Sequence, residues 1–325
     1  MAAEVSTIQS LKAVDAWIDV INANINGGVR TAFKTSRLKF GGSNTNVDRA
    51  GTSTSLPLQF PEPSLTTTNS VIDFTQGAIT ASTENTHLAI QGSGWFMVAS
   101  PDAINTSAGS LYGFTNSLAT AARIYLTRDG EFHTNQYGML VNSNGYYLVT
   151  TDTVLNGTTN VLNYSTSTGT TAFASLTGIR AVYNDMDSPA ATPASGGWVR
   201  LTDFVSNTIT RDGNDAALGG FAAQSIAKVS LGQQSLKYTS FGSTVFDFGY
   251  NVANGTGTNQ IDVNISIAVG TTSDASILSK SLEASNASMT QSVPELSLAQ
   301  KLFSALTKII QTHQTNTDAV INLIR

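Results

Sequence analysis

The apolar residues at the two ends of the chain are spaced for helices, and those of the middle are not. From Ile8, the residues Leu11, Val14, Ile18, Ile21 and Ile25 follow at steps of three and four. That spacing lays one narrow stripe along a helix, and Gly27 and Gly28 end it. Near the other end Ala299, Leu302, Leu306, Ile309, His313, Asn316, Val320 and Leu323 alternate steps of three and four, with no glycine or proline after Pro294. A narrow apolar stripe on an otherwise polar helix needs a partner. The simplest one for each end is the other end of the same chain, which predicts two terminal helices pairing as a coiled coil. About 30 residues of C-terminal helix would span roughly 45 Å, more than the N-terminal helix covers, so its surplus is expected to pack on other molecules. His313 and Asn316 fall on this predicted seam, where polar groups fix register at a cost in stability.

Between about residues 70 and 270 the pattern changes to short alternating runs of Val, Ile, Thr, Tyr and Phe separated by Asn, Gly and Asp, the signature of strands and tight turns. Asn144-Gly145, between LVNS and YYLV, marks a hairpin, and a type I′ turn there would need positive φ at both residues. The fold class expected is α+β, with a mostly antiparallel β region between the paired helices. In order, the sequence divides into an N-terminal helix in 1–40, an extended linker over 41–69, a β domain over 70–151, a β-rich insertion or outer domain over 152–225, a return of the β domain over 226–279, and a C-terminal helix in 280–325.

Composition excludes several functions. Only 12% of the 325 residues are charged and the net charge is −5, so the clustered positive surface that phosphate binding requires is missing and no nucleic-acid partner is expected. A polar but uncharged surface suits close contact between copies of one chain. There is no cysteine, hence no disulfide or thiolate metal site. No apolar run reaches the roughly 18 residues of a membrane helix, so no membrane insertion is expected. The segment MAAEVSTIQSLKAVDAWIDVINANI lacks a basic leader and an unbroken apolar run and does not read as a secretory signal peptide.

The three histidines, His87, His133 and His313, have no metal-ligand spacing. Asp185 and Asp187 in YNDMDSP lack the glycine and glutamate of a calcium loop, and read as a solvated turn. Gly92-Ser93-Gly94 lies between strand-like halves rather than at a strand-to-helix turn, so it is neither a phosphate loop nor a nucleophile elbow. Asn-x-Ser/Thr triplets such as Asn156-Gly157-Thr158 are expected by chance in so Asn- and Thr-rich a chain. No cofactor, metal or catalytic group is assigned, and the chain is not expected to be an enzyme.

The segments IDFTQGAITASTENTHLAIQGSGWFMV and YLTRDGEFHTNQYGMLVNSNGYYLV resemble the central signature of the bacterial flagellar axial proteins, the rod and hook family. The residues that carry the likeness are Phe74, Gln76, Gly77, Leu88, Ala89, Ile90, Gly92, Gly94, Trp95, Phe96, Thr127, Arg128, Gly130, Phe132, Gly138, Leu140, Val141, Gly145 and Tyr146. The C-terminal segment is similar at Leu282, Glu283, Ser285, Asn286, Ala299, Gln300 and Phe303, and the N-terminal one at Asn24, Ile25, Phe33 and Lys34. Ala23, Asn26, Gly27 and Ala32 depart from the family pattern, which marks a divergent member. From the residues themselves, Trp95 and Phe96 are expected to fill the β core, and Gly92 and Gly94 to take positive φ or admit a neighbouring backbone.

The resemblance implies a structural subunit that self-assembles into the helical tube of the flagellar hook or rod, transmits torque and encloses an export channel. It implies adjacent axial proteins, an assembly cap and the type III export apparatus as partners, and a place in the basal body rod or the extracellular hook. The sequence leaves rod and hook both open. The alternative is a non-flagellar extracellular filament or surface-binding β-rich module on the same scaffold.

Overall fold

The computed structural model describes residues 2–42, 46–49, 56, 58–60, 64–99, 124–136, 138–151, 161–165, 172–173, 179–184, 198–206, 226–229, 236–240, 242–248, 264–267 and 275–324. Asp185, Asp187 and the triplet at 156–158 lie outside them. In chain order the elements begin with α1 (Ala2–Gly27), β1 (Ser36–Gly42), β2 (Asn46–Arg49), β3 (Leu58–Phe60) and β4 (Leu65–Ile72). Next come β5 (Ile79–Ala81), β6 (Leu88–Gly92), β7 (Phe96–Ala99), β8 (Ile124–Thr127), β9 (His133–Thr134), β10 (Leu140–Val141) and β11 (Tyr147–Thr151). These are followed by β12 (Val161–Ser165), β13 (Ala172–Phe173), β14 (Ile179–Tyr183), β15 (Trp198–Arg200), α2 (Leu201–Ser206) and β16 (Ala227–Val229). The chain closes with β17 (Leu236–Thr239), β18 (Gly242–Phe248), β19 (Asn264–Ile267), β20 (Ala275–Ser279), β21 (Ser281–Glu283) and α3 (Met289–Ile324). The molecule is α+β, and among the described residues the strand pairs are antiparallel except for β14 with β15.

Two compact units divide the chain. One holds residues 1–30, 34–75 and 286–325; the other holds 31–33 and 76–285. In the first unit, α1 and α3 pack on each other around buried Val14, Ile21 and Ala299, with Trp17, Ile18, Ile25, Leu65, Leu296, Phe303 and Leu306 against them. Gly28, just past the end of α1, lies against the Met289 methyl at the start of α3, so the helices run antiparallel. At 1.5 Å per residue they are about 39 Å and about 54 Å long, and the far end of α3 runs past α1.

The side of α3 turned to this cluster is Ser292, Leu296, Ala299, Phe303, Leu306, Ile310 and His313, again at steps of four and three. This corrects the expected seam. Ala299, Leu306 and His313 lie on it, but Leu302 and Ile309 are 37% and 45% exposed, Asn316 is exposed, and Val320 and Leu323 are 60% and 90% exposed. The two stripes share Ala299, Leu306 and His313 and diverge where Phe303 and Ile310, rather than Leu302 and Ile309, take the less exposed side. On α1 the expected stripe does face the cluster, with Leu11 half-buried beside it. The expected C-terminal helix also starts later than residue 280, because β21 pairs with β5 before α3 begins.

Residues 41–69 were expected as a linker, yet β4 pairs with β1 from Ser36 opposite Ile72 to Gly42 opposite Leu65, with a bulge at Lys39 and Phe40. The run LTTTNSVI is rich in β-branched residues that suit a strand, and its apolar end is anchored to α1: the Leu65 N–H donates to Ser10 Oγ (2.9 Å) and the Ser64 hydroxyl to Gln9 Oε1 (3.1 Å). Trp17 meets Phe40 edge to face at 5.6 Å.

The second unit is built on a nine-stranded sheet with the path β15-β14-β11-β7-β8-β18-β17, to which β10 and β9 attach beside β11. Its core gathers Leu88, Ile90, Phe96, Val98, Phe132, Leu148, Val182, Phe204 and Val245. The described part of the expected insertion therefore divides: β14, β15 and α2 join the main sheet and core, while β12 and β13 pair with β19 and β16 in a separate four-stranded sheet. The hairpin from β10 to β11 forms as expected, with a different turn. The Gly145 N–H donates to Asn142 O (2.9 Å), only Gly145 has positive φ (79°) and Asn144 does not. This is a three-residue loop ending on a left-handed glycine, and Asn142 Oδ1 secures it by accepting from the Asn144 and Tyr146 N–H groups (3.1 and 2.9 Å).

Buried and exposed apolar positions of the two helices predict unequal mutational costs in the unassembled protein. Ile21→Ala, at a fully buried position, is expected to lower stability in urea unfolding by about 2–4 kcal/mol, and Ile309→Ala by less than about 1 kcal/mol.

Candidate functional site

The signature residues converge on one buried ion pair. Glu283, the last residue of β21, is 1% exposed, and Arg128, just after β8, is 3% exposed; Arg128 Nη1 donates to Glu283 Oε2 at 3.0 Å. The other carboxylate oxygen accepts the Gly77 N–H at 3.0 Å. The guanidinium also donates to Ile90 O (3.2 Å) and Gly92 O (2.6 Å) at the end of β6, and its Cζ lies 5.6 Å from the centroid of the Trp95 ring. Trp95 in turn meets Phe246 edge to face at 5.1 Å. Burial pushes the Arg128 guanidinium below its ordinary value, and the charge and hydrogen bond of Glu283 oppose that shift. Arg128 Nε is buried and has no acceptor among the described residues.

Around this pair, side chains and glycines finish what strands leave open. Gln76 Nε2 donates to Ile90 O (2.9 Å) and its Oε1 accepts the Gly92 N–H (3.1 Å), so one amide side chain occupies the free edge of β6 as a neighbouring strand would. Gly77 and Gly130 are places of close backbone approach: a Cβ at Gly77 would overlap the Ala284 carbonyl, and one at Gly130 the Leu88 carbonyl. Gly92 and Gly94 have φ of 98° and 145°, and Trp95 and Phe96 are buried. The short segment Thr31–Phe33 joins the same clasp. The Ala32 N–H donates to Glu283 O (2.8 Å), and the Thr31 hydroxyl to Asp129 Oδ1 (2.9 Å).

Asn286 and Gln300 lie in the first unit. Asn286 accepts the Thr35 N–H on Oδ1 (2.8 Å) and donates from Nδ2 to Asp73 O (2.8 Å) and Thr75 O (3.1 Å), and buried Lys34 Nζ donates to the same Thr75 carbonyl (2.7 Å). Gln300 is exposed on α3, its carbonyl accepting the Ser304 hydroxyl (2.9 Å). Among the described residues no three His, Asp or Glu side chains come together as metal ligands, and no helix is long and apolar enough to cross a membrane. What the geometry supplies is fixation of the backbone.

The other candidate feature is the outward side of α3. Leu298, Leu302, Ala305, Ile309, Val320 and Leu323 all lie on exposed positions, and at 100° per residue they form one stripe about 100° around the helix from the inward one. Sequence reasoning found most of this stripe and read it as a seam that pairs with the other end of the chain and, in its surplus, with other molecules. It missed Leu296, Phe303 and Ile310 as the residues facing α1, and it did not single out Glu283 as the partner of Arg128.

Breaking the ion pair from one side leaves a buried charge unpaired. Arg128→Met and Glu283→Leu are each expected to cost about 3–5 kcal/mol, and the double variant less than the sum of the two, as a double-mutant cycle in urea unfolding would measure.

No family model matches the sequence. The flagellar hook protein FlgE of Brucella abortus biovar 1 (strain 9-941) is 32% identical over 137 residues, covering 40% of this chain and 29% of its own length. The flagellar hook protein FlgE of Brucella suis biovar 1 (strain 1330) gives the same values. The chain thus spans less than a third of these relatives. A short match to the crystal structure of the Helicobacter pylori flagellar hook protein FlgE2 covers 22% of this chain and 14% of that one, at 30% identity and a TM-score of 0.15. Over the matched segment, this chain is similar to the bacterial flagellar hook proteins.

Proposed function

We propose that the chain is a structural, non-enzymatic subunit of the bacterial flagellar hook that assembles with copies of itself into a helical tube. The observation that carries this reading is the outward stripe of α3. Its large apolar side chains stay open to water in a single chain. At about 1.5–3 kcal/mol for each aliphatic side chain moved from full exposure to full burial, covering what stays open on Leu298, Leu302, Ile309, Val320 and Leu323, which are 37% to 90% exposed, is worth roughly 4–9 kcal/mol before the costs of association.

A copy that presents one surface and receives another makes heterologous contacts, which give open filaments when the rotation does not close. On this reading α1 and α3 pair as a coiled coil and, side by side with other copies, enclose a central channel, while the clasp keeps the β unit stiff under torque. The far end of α3 is completed by neighbouring molecules. Adjacent axial proteins, an assembly cap and the type III export apparatus are the partners this role requires. A rod position would use the same contacts; the relatives favour the hook.

Electron microscopy of the purified full chain at rising concentration tests the reading. Tubes or filaments with helical symmetry are expected, and removal of residues 299–325 is expected to abolish them. A particle that stays monodisperse at high concentration, or filaments that persist after the truncation, would count against it.

A further inference from the structure

Facing stretches of the two terminal helices carry opposite charges on their outward sides. From residue 13 to residue 27 the only charged residues of α1 are Asp15 and Asp19, and from 296 to 317 the only fixed charges of α3 are Lys301 and Lys308. All four are exposed, and among the described residues none of them is in an ion pair. Asp15 and Asp19 lie one turn apart on the side of α1 away from α3, in line with exposed Val5, Ile8 and Lys12. Lys301 and Lys308, two turns apart, border the stripe of Leu298, Leu302, Ala305 and Ile309.

We propose that the outward face of α1 on one copy docks on the lysine-edged stripe of α3 on another, with Asp15 and Asp19 meeting Lys301 and Lys308. This rests on the self-assembly reading above and names the contact that sets its register. The apolar side chains supply the non-directional attraction, and the charges decide which alignments are permitted. The aspartates span about 6 Å along their helix and the lysines about 10.5 Å, a difference that flexible four-carbon side chains take up. Lys12, one turn before Asp15, would meet a lysine if the helices slid by a turn, so that misalignment is disfavoured. Because the faces are exposed, the contact weakens as salt screens it.

A charge swap on the full chain tests this, with critical concentration for polymerisation read by sedimentation. Asp15→Lys with Asp19→Lys is expected to raise the critical concentration about tenfold or more, and Lys301→Asp with Lys308→Asp to do the same. All four substitutions together should restore it to near the starting value. Helix content by circular dichroism should be unchanged throughout, since no buried group is altered. Either pair polymerising like the unmodified chain, or the fourfold variant polymerising no better than either pair, overturns the proposal and leaves self-assembly standing. An unmodified chain that never polymerises overturns both.

Discussion

A carboxylate out of water must be answered completely, and in this protein Glu283 is answered from far apart in the chain. Arg128 takes one oxygen and the Gly77 N–H the other, while the Glu283 carbonyl receives Ala32. Removing one member of such a set costs more than forming it gains, so the segments near residues 32, 77, 90, 128 and 283 are held to one arrangement. The glycines follow from that closeness, because at Gly77 and Gly130 a neighbouring carbonyl occupies the space a side chain would need. Gln76 completes the group by capping the strand edge with its amide. The signature residues of this unit thus form a rigid joint inside it.

The first unit is governed by a different constraint. A helix 36 residues long with two apolar stripes cannot bury both against one 26-residue partner. One stripe, through Phe303 and Leu306, meets α1; the other stays open. Uncharged polar residues fill most of the remaining surface, and hydroxyls such as those of Ser304, Thr307, Thr312 and Thr315 bond back to carbonyls four residues earlier. Hydroxyls satisfied within the helix can be covered by another molecule at little desolvation cost. The proposed assembly uses both properties.

Much of this was legible in the sequence, and the reasons for the exceptions are local. Helical ends and a strand-rich middle follow from spacing, and on α1 Val14, Ile18, Ile21 and Ile25 lie in the cluster between the helices. On α3 spacing alone admits two stripes, and only packing shows that Phe303 and Ile310 turn inward while Leu302 and Ile309 do not. The linker reading of 41–69 weighed its prolines and polarity, but β4 at its end has a strand partner in β1. At Asn144-Gly145 the dipeptide announced a hairpin, and the Asn142 side chain, invisible to a two-residue rule, selected the turn. The Arg128–Glu283 pair spans 155 residues, a separation at which no sequence periodicity operates.

Hydrogen exchange compared between dilute and concentrated protein tests the central claim most directly. The account predicts that amides of residues 314–323, where α3 runs past its packing with α1, exchange quickly in the dilute chain and become protected as concentration rises, while those of the clasp, around residues 88–92 and 127–132, are protected equally in both. Full protection of α3 in the dilute chain, or no gain on concentration, would contradict it.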